Sequence, residues 1–264
     1  GLIYPLEKIS DETRKENLLH IIKRGNHKSA QTPEINAQTL IKNYTKEVKR
    51  GWMLPIPKRT LKKLKGASVI PVGVATQFTI DDKGNRTVKR RTTHDASFPP
   101  PSKNSVNNRL IKELLVDCQY GHCLLRVLHN IHVMRLTYPH LLILLIKYDL
   151  DAAYRRLHLT ALMALLTITI IKEIAYILLR LPFGVANGPN DYGTISEPIF
   201  DLTNEILQDA TFNPSEIHSP LQKDMATQKE YNSKTTPFGV AEPLIVNVPF
   251  HFAKADGYID DIIT

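Results

Sequence analysis

Apolar positions in "TPEINAQTLIKNYTKEVKRG" recur at Ala37, Ile41, Tyr44 and Val48. This stripe of helical period predicts a helix with Thr32 as N-cap, Pro33 in the first turn and Gly51 just past the last. Further on, "VIPVGVATQFTIDDKGNRTVKRRTTHDAS" is rich in β-branched residues and predicts two strands joined by a turn at "DDKGN". Three successive prolines make "SFPPPSKNSVNN" an extended loop, since they can continue neither a helix nor a central strand. Helical character returns in "IKELLVDCQYGHCLLRVLHNIHVMRL", with a break expected near Gly121. The run "HLLILLIKYDLD" is continuously apolar and ends in acid, as a buried central strand would. After a Gly-Pro break, "GPNDYGTISEPIFDLTNEILQDA" predicts a helix with Ile199, Leu202 and Ile206 on one face. Residues 211–243 are polar and Pro-rich, a long surface insertion, and "LIVNVPFHFAKADGYIDDIIT" returns to strand character. No internal repeat is present. Strands and helices in mixed order predict an α/β or α+β fold.

Length and charge narrow the picture. The 264 residues suffice for one large domain or two smaller ones with a sizeable core. A formal charge of +8 favours an acidic partner, nucleic acid before membrane. From Lys58 to Arg91 the chain carries ten Lys and Arg against only Asp81 and Asp82, which a solvated basic face would also explain. The only cysteines, Cys118 and Cys123, flank His122, with His129 and His132 beyond. No second pair completes a four-ligand zinc site. Two cysteines in a chain this size point to a reducing, intracellular compartment, with cytoplasm and nucleus not distinguished. The longest uncharged apolar stretch, Leu159 to Ile171, is short of the roughly 18 residues that a membrane span needs. The charged start "GLIYPLEKISDETRKE" is unlike a signal peptide and has no initiator Met, so a fragment of a longer chain is expected.

The sharpest chemical signal is "GYIDDIIT". Successive strand side chains point to opposite faces, so one of Asp260 and Asp261 would face a core unless the chain turns there. An exposed hairpin turn with two solvated acids is the simple explanation. A bound divalent cation is the other, because carboxylates are hard oxygen ligands for Mg²⁺. Asp149 emerges from an apolar run in the same manner. If the two strands are neighbours, three carboxylates could hold two metal ions about 3.5–4 Å apart, the arrangement used for in-line displacement at phosphorus. Asp151, two positions on, is a competing acid.

At this point the motifs carry a resemblance. "YDLDAAYRRL", "LPFGVANGPNDY" and "YIDD" occur in the order and with the spacing of the palm motifs of reverse transcriptases, and the triplet is similar to the retrotransposon type. "KRRTTHDASFPPPSKNSVNNRL" resembles the fingers segment of such enzymes. The likeness covers Trp52 to Asp261; residues 1–51 and 211–243 match nothing in it. It implies a right-hand polymerase fold, with fingers and a partial ferredoxin-like palm built on an antiparallel sheet, and the thumb absent. With the break after "WMLPIP", three regions are expected: an N-terminal helical segment (1–56), and, as the resemblance implies, fingers with a basic hairpin and helices (57–148) and a palm (149–264). The implied activity is RNA-directed DNA polymerase, adding deoxynucleotides to a primer 3′ end. Asp149, Asp260 and Asp261 are then the catalytic and metal-binding carboxylates for two Mg²⁺ ions, with Mn²⁺ an alternative. Tyr154 is implied as the steric gate against a ribose 2′-hydroxyl. Phe183 and Gly184 are implied beside nucleotide and template, and Arg91 or Arg90, with Lys83, on the triphosphate. Strand register decides between the two arginines.

The implied partners are an RNA or DNA template with primer and deoxynucleoside triphosphates, with no membrane. A polymerase copying RNA into RNA is one rival; Tyr154 and the YIDD tyrosine argue against it. The other is an inactive, decayed or domesticated nucleic-acid-binding remnant.

Overall fold

The computed structural model describes residues 2–81, 83–117, 122–140, 143–209, 211–212, 254–258 and 261–263. The protein is a mixture of helices and antiparallel sheets, as the alternating sequence patterns predict. It divides into two compact units, Gly1–Gly121 with Asp149–Ser196, and His122–Tyr148 with Glu197–Thr264.

The first unit opens with helix α1 (Asp11–Arg24). Ser10 caps it by accepting from the Thr13 amide at 3.1 Å; Asp11 and Glu12 in the first turn and Lys23 and Arg24 in the last complement the helix dipole. Helix α2 (Glu34–Lys49) follows. It starts two residues after Thr32, and Pro33 takes the cap position without a side-chain hydrogen bond. Its buried face also differs from the predicted stripe. Asn36, Leu40 and Tyr44 point inward while Ile41 is 44% exposed. The reason lies in tertiary partners: Tyr44 donates to Thr169 Oγ1 at 3.0 Å and packs edge-on against Tyr176, and Asn36 donates to the Ser29 carbonyl.

Thr169 and Tyr176 belong to a three-stranded antiparallel sheet in the order β1–β6–β5, with β1 at Met53–Pro57, β5 at Thr169–Ile171 and β6 at Ile174–Leu178. Its register pairs Met53 with Leu178 and Thr169 with Tyr176. One apolar cluster joins Leu18 and Ile21 of α1 to Leu61, Val69, Ile168 and Ala175; a second joins Leu40 and Tyr44 of α2 to Met53, Val72, Val74 and Leu178. Burying each large side chain of these clusters is worth about 1.5–3 kcal/mol.

The predicted hairpin is present, with β2 (Val72–Ile80) and β3 (Arg86–His94) paired from Val72↔His94 to Ile80↔Arg86. Its base is buried at Val72 and Val74, and its outer half is exposed. The Asp81 carboxylate accepts from the Lys83 and Asn85 amides, and Gly84 takes the positive φ that the turn requires. The residues before β1 are woven into this unit. Leu2 bridges Leu159, Leu6 bridges Leu110, His27 bonds Asp95 at 2.9 Å, and Glu47 pairs with Arg155.

In the predicted helix from Ile111, residues Lys112–Leu114 form only a single 3-10 turn. The regular helix is α3 (Cys123–Thr137), in the second unit. Residues 118–121, where the break was expected, lie outside the described residues. The apolar run before Asp149 is strand only at β4 (Lys147–Asp149), and its side chains are exposed, Leu144 at 68% and Tyr148 at 56%. The second sheet has the order β4–β8–β7, with β7 at Asp256–Tyr258 and β8 at Asp261–Ile263. Among the described residues β4 is therefore an outer strand of that sheet rather than its centre.

Beyond the short helix α4 (Ala161–Ala164), the Gly-Pro break leads into α5 (Gly188–Gln208). Glycines aside, the buried positions on α5 are Tyr192, Ser196 and Phe200, at i, i+4 and i+8. Ile199 and Leu202 are exposed, so the predicted face is rotated. The insertion from 213 to 243 lies outside the described residues. No helix among them is long and apolar enough to cross a membrane.

Candidate active site

Motifs distant in sequence meet in the first unit. After β4 the chain turns through Ala152, which takes a left-handed conformation (φ 55°), into a 3-10 turn at Ala153–Arg156. This turn delivers Tyr154 inward, where it is 5% exposed. Its ring stacks on Phe183 at 4.7 Å between centroids and 21° between planes, and Tyr192 of α5 packs tilted against it at 5.4 Å. Gly188 makes room for it, since a Cβ there would lie 3.2 Å from the tyrosine ring. Phe183 is 51% exposed and forms the outward face of the stack.

The loop from Phe183 to Gly188 is pinned at Gly184. Its φ of 102° suits glycine alone, and a Cβ there would collide with the carbonyl oxygen of His94 at the end of β3. Asn107, in "SVNN", spans the same junction. Its amide nitrogen donates to the Gly184 carbonyl at 2.8 Å and to Ser97 Oγ at 2.8 Å, and its oxygen accepts from the Ala186 amide at 2.9 Å.

Burial sets the electrostatics around this loop. Asn187 is fully buried and bonds the Asp191 carboxylate, and burial pushes Asp191 up from 3.8 to about 6. Among the described residues the buried His94 Nδ1 has no hydrogen-bond partner, and burial pulls its pKa down from 6.5 to about 4, so the ring is neutral at pH 7. Arg155, beside Tyr154, is 5% exposed, donates to the Arg180 carbonyl and pairs with Glu47; burial lowers it to about 10.

The predicted phosphate cations lie on the hairpin. Arg90 and Arg91 point to opposite faces of β3, opposite Thr76 and Ala75. Arg90 turns toward α2 and donates to Asn36 Oδ1 at 3.1 Å, while Arg91 is exposed. Lys83 is exposed at the hairpin turn. Of the predicted acids, Asp149 is exposed as the last residue of β4, the strand next to β8. Asp261 opens β8, paired with Tyr258. Asp260 lies outside the described residues, as does the side chain of Asp261. Asp151 is exposed near Arg156 and Arg50, at 3.7 and 4.0 Å. Among the described residues no three His, Cys, Asp or Glu side chains form a group that could hold a metal.

In the second unit, the strand leading to "YIDD" is held from two helices. Arg126 of α3 donates two bonds to Asp256, both 2.7 Å, and Asn204 of α5 exchanges two with the Ala255 backbone, at 2.9 and 2.8 Å. A cleft of about 640 Å³ lies between them.

Asn107, Tyr192, Asn187 and Asp191 escaped the sequence reading as site residues. All four stand inside the motifs. The bonds of Asn107 to Gly184 and Ala186 span 77 and 79 positions and carry no local periodicity, whereas the Asn187–Asp191 pair, four residues apart on one helical turn, had a local signal.

No family model matches the chain, and no curated protein matches it. Among solved structures, the protease-reverse transcriptase of prototype foamy virus is similar over 98% of this chain and 21% of its own, at 14% identity and a TM-score of 0.39. The chain thus spans about a fifth of that protein's length.

Proposed function

We propose that the chain carries the fingers and palm of a retroelement-type RNA-directed DNA polymerase, a nucleotidyltransferase that adds deoxynucleotides to a primer 3′ end. The observation that supports this best is the meeting of three of the four motifs at one place. "YDLDAAY" supplies Tyr154, "LPFGVANGP" supplies Phe183 and Gly184, and the "HDAS…SVN" segment supplies His94 and Asn107. The fourth motif, "YIDD", is carried by the sheet of order β4–β8–β7, in which Asp149 ends β4 and Asp261 opens β8.

In this reading the primer 3′-oxygen attacks the α-phosphorus of a deoxynucleoside triphosphate, forming the phosphodiester and releasing pyrophosphate. Arg91, exposed on the hairpin, and Lys83, at its turn, bind the triphosphate by charge-assisted hydrogen bonds. Arg90 is the weaker candidate because its Nε is engaged with Asn36. Phe183 offers its exposed face to the nucleotide, and Tyr154 backs it against displacement. Asp149, Asp260 and Asp261 would hold two Mg²⁺ ions, or Mn²⁺: the set is all carboxylate, as hard cations require, and Asp149 is open to water. When bound, the ions supply a lower pKa for the primer hydroxyl and charge neutralisation at the triphosphate. The remaining basic residues from Lys58 to Lys65 would follow a template or primer backbone without reading its bases.

The test is Mg²⁺-dependent incorporation of deoxynucleotides on an RNA template. Asp149→Asn and Asp261→Asn are each expected to reduce it at least 10³-fold, roughly the 4 kcal/mol of transition-state stabilisation that such groups supply. Equal extension by the variants would sink the two-metal assignment. Preference for ribonucleotides would favour the RNA-copying polymerase. Binding of template-primer without incorporation would favour the non-catalytic module.

A further inference from the structure

The contacts of Asn107 exceed what a loop residue needs. Both amide hydrogens and the amide oxygen are used, and they join two segments that also meet at the Gly184–His94 contact. Ser97, which takes one hydrogen, sits two residues after Asp95, which accepts from the Ser97 amide and pairs with His27. The Asn107 backbone amide is fixed in turn by the Ala96 carbonyl at 3.0 Å. The other hydrogen and the oxygen go to Gly184 and Ala186, on either side of Val185 and directly after Phe183. Among the described residues, Phe183 itself is held by packing against Tyr154. Its ring direction therefore depends on the backbone that Asn107 clamps.

We infer that Asn107 is a positioning residue that fixes the Phe183–Gly188 loop, and with it the exposed Phe183 face, for nucleotide binding. This rests on the nucleotide reading of the loop given above. Serine at this position cannot make the same three bonds, because a hydroxyl has one donor and sits closer to the backbone. Aspartate keeps the acceptor for Ala186 but loses both donors, and sets a carboxylate against the Gly184 carbonyl.

The experiment labels the eight phenylalanines with 4-fluorophenylalanine and assigns the Phe183 ¹⁹F resonance with Phe183→Leu. In the unmodified chain that resonance is expected to carry a ring-current shift from Tyr154, and to move when a deoxynucleoside triphosphate and Mg²⁺ are added. In Asn107→Asp and Asn107→Ser it should collapse toward the exposed value, and the apparent nucleotide Kd should rise at least tenfold. An unchanged Phe183 resonance in both variants overturns the inference, whatever the nucleotide does. Failure of nucleotide to move the resonance in the unmodified chain overturns the nucleotide reading, and the inference with it. If circular dichroism shows that neither variant folds, Asn107 is a folding residue and the positioning role falls.

Discussion

Asp191 and His94 flank the Phe183–Gly188 loop with opposite titrations. The Asp191 carboxyl is raised from 3.8 to about 6, so the native state binds the proton more tightly than the unfolded chain. Its contribution to stability is full below pH 3.8 and is lost as pH rises through 6. His94 is lowered from 6.5 to about 4; its contribution is full above pH 6.5 and is lost as pH falls through 4. Over the shared window the two slopes oppose one another. Asp191→Asn is therefore expected to raise the melting temperature near pH 7 and to leave stability that falls steadily on acidification from 6.5 to 4. Thermal melts across that range check it, and an unchanged profile would show that Asp191 is not desolvated. Tyr4 belongs to the same neighbourhood. Its buried hydroxyl has no hydrogen-bond partner among the described residues, and burial, with Asp191 adding, pushes its pKa up.

At the scale of elements, α2 shows what fixes a helix's rotation. Its apolar residues define a broad stripe, and the helix turns within it so that Tyr44 reaches Thr169 and Asn36 reaches Ser29 and Arg90. Tyr44→Phe is expected to cost about 1 kcal/mol, the net worth of a buried hydroxyl bond. Ile41→Ser should change stability by no more than about 0.5 kcal/mol, as an exposed position does. Denaturant unfolding decides this: a larger loss at Ile41 than at Tyr44 would restore the original stripe. The same lesson applies to α5, where Tyr192, Ser196 and Phe200 are buried in place of Ile199 and Leu202. Ser196 on the inner face carries no apolar signal, so the pattern of apolar positions alone could not choose this rotation.

For the whole molecule, the charge of +8 and the basic hairpin bear on a polyanionic partner. Neutralising phosphates releases counterions, so template-primer affinity should fall steeply with salt, with a log–log slope of about −0.7 to −0.9 per phosphate contacted. Arg91→Gln and Lys83→Gln are each expected to flatten that slope by about one contact, whereas Arg90→Gln should change it less because Arg90 is turned to Asn36. Fluorescence anisotropy between 50 and 200 mM salt measures the slopes. Equal flattening by all three would show that the face of β3 does not matter. At the same scale, residues 1–51, which matched no motif, are integral to the first unit, since α1 and α2 supply Leu18, Ile21, Leu40 and Tyr44 to its two apolar clusters.

Sequence by itself determined the elements whose causes are local. The β2–β3 hairpin follows from β-branched runs around "DDKGN", and the start of α5 follows from a Gly-Pro break. The acids of "YIDD" and "YDLD" stand out in the sequence because charge inside a buried apolar run is costly, but Asp149 ends an exposed strand and Asp260 lies outside the described residues. Only the tertiary structure decided the rest. It set which face of β3 carries Arg91, because register depends on the partner strand. It buried Tyr154 beneath Phe183, because a stack between residues 29 apart has no trace in periodicity. And it gave Asn107 its three bonds, because an amide's partners are chosen by the chain that folds back upon it.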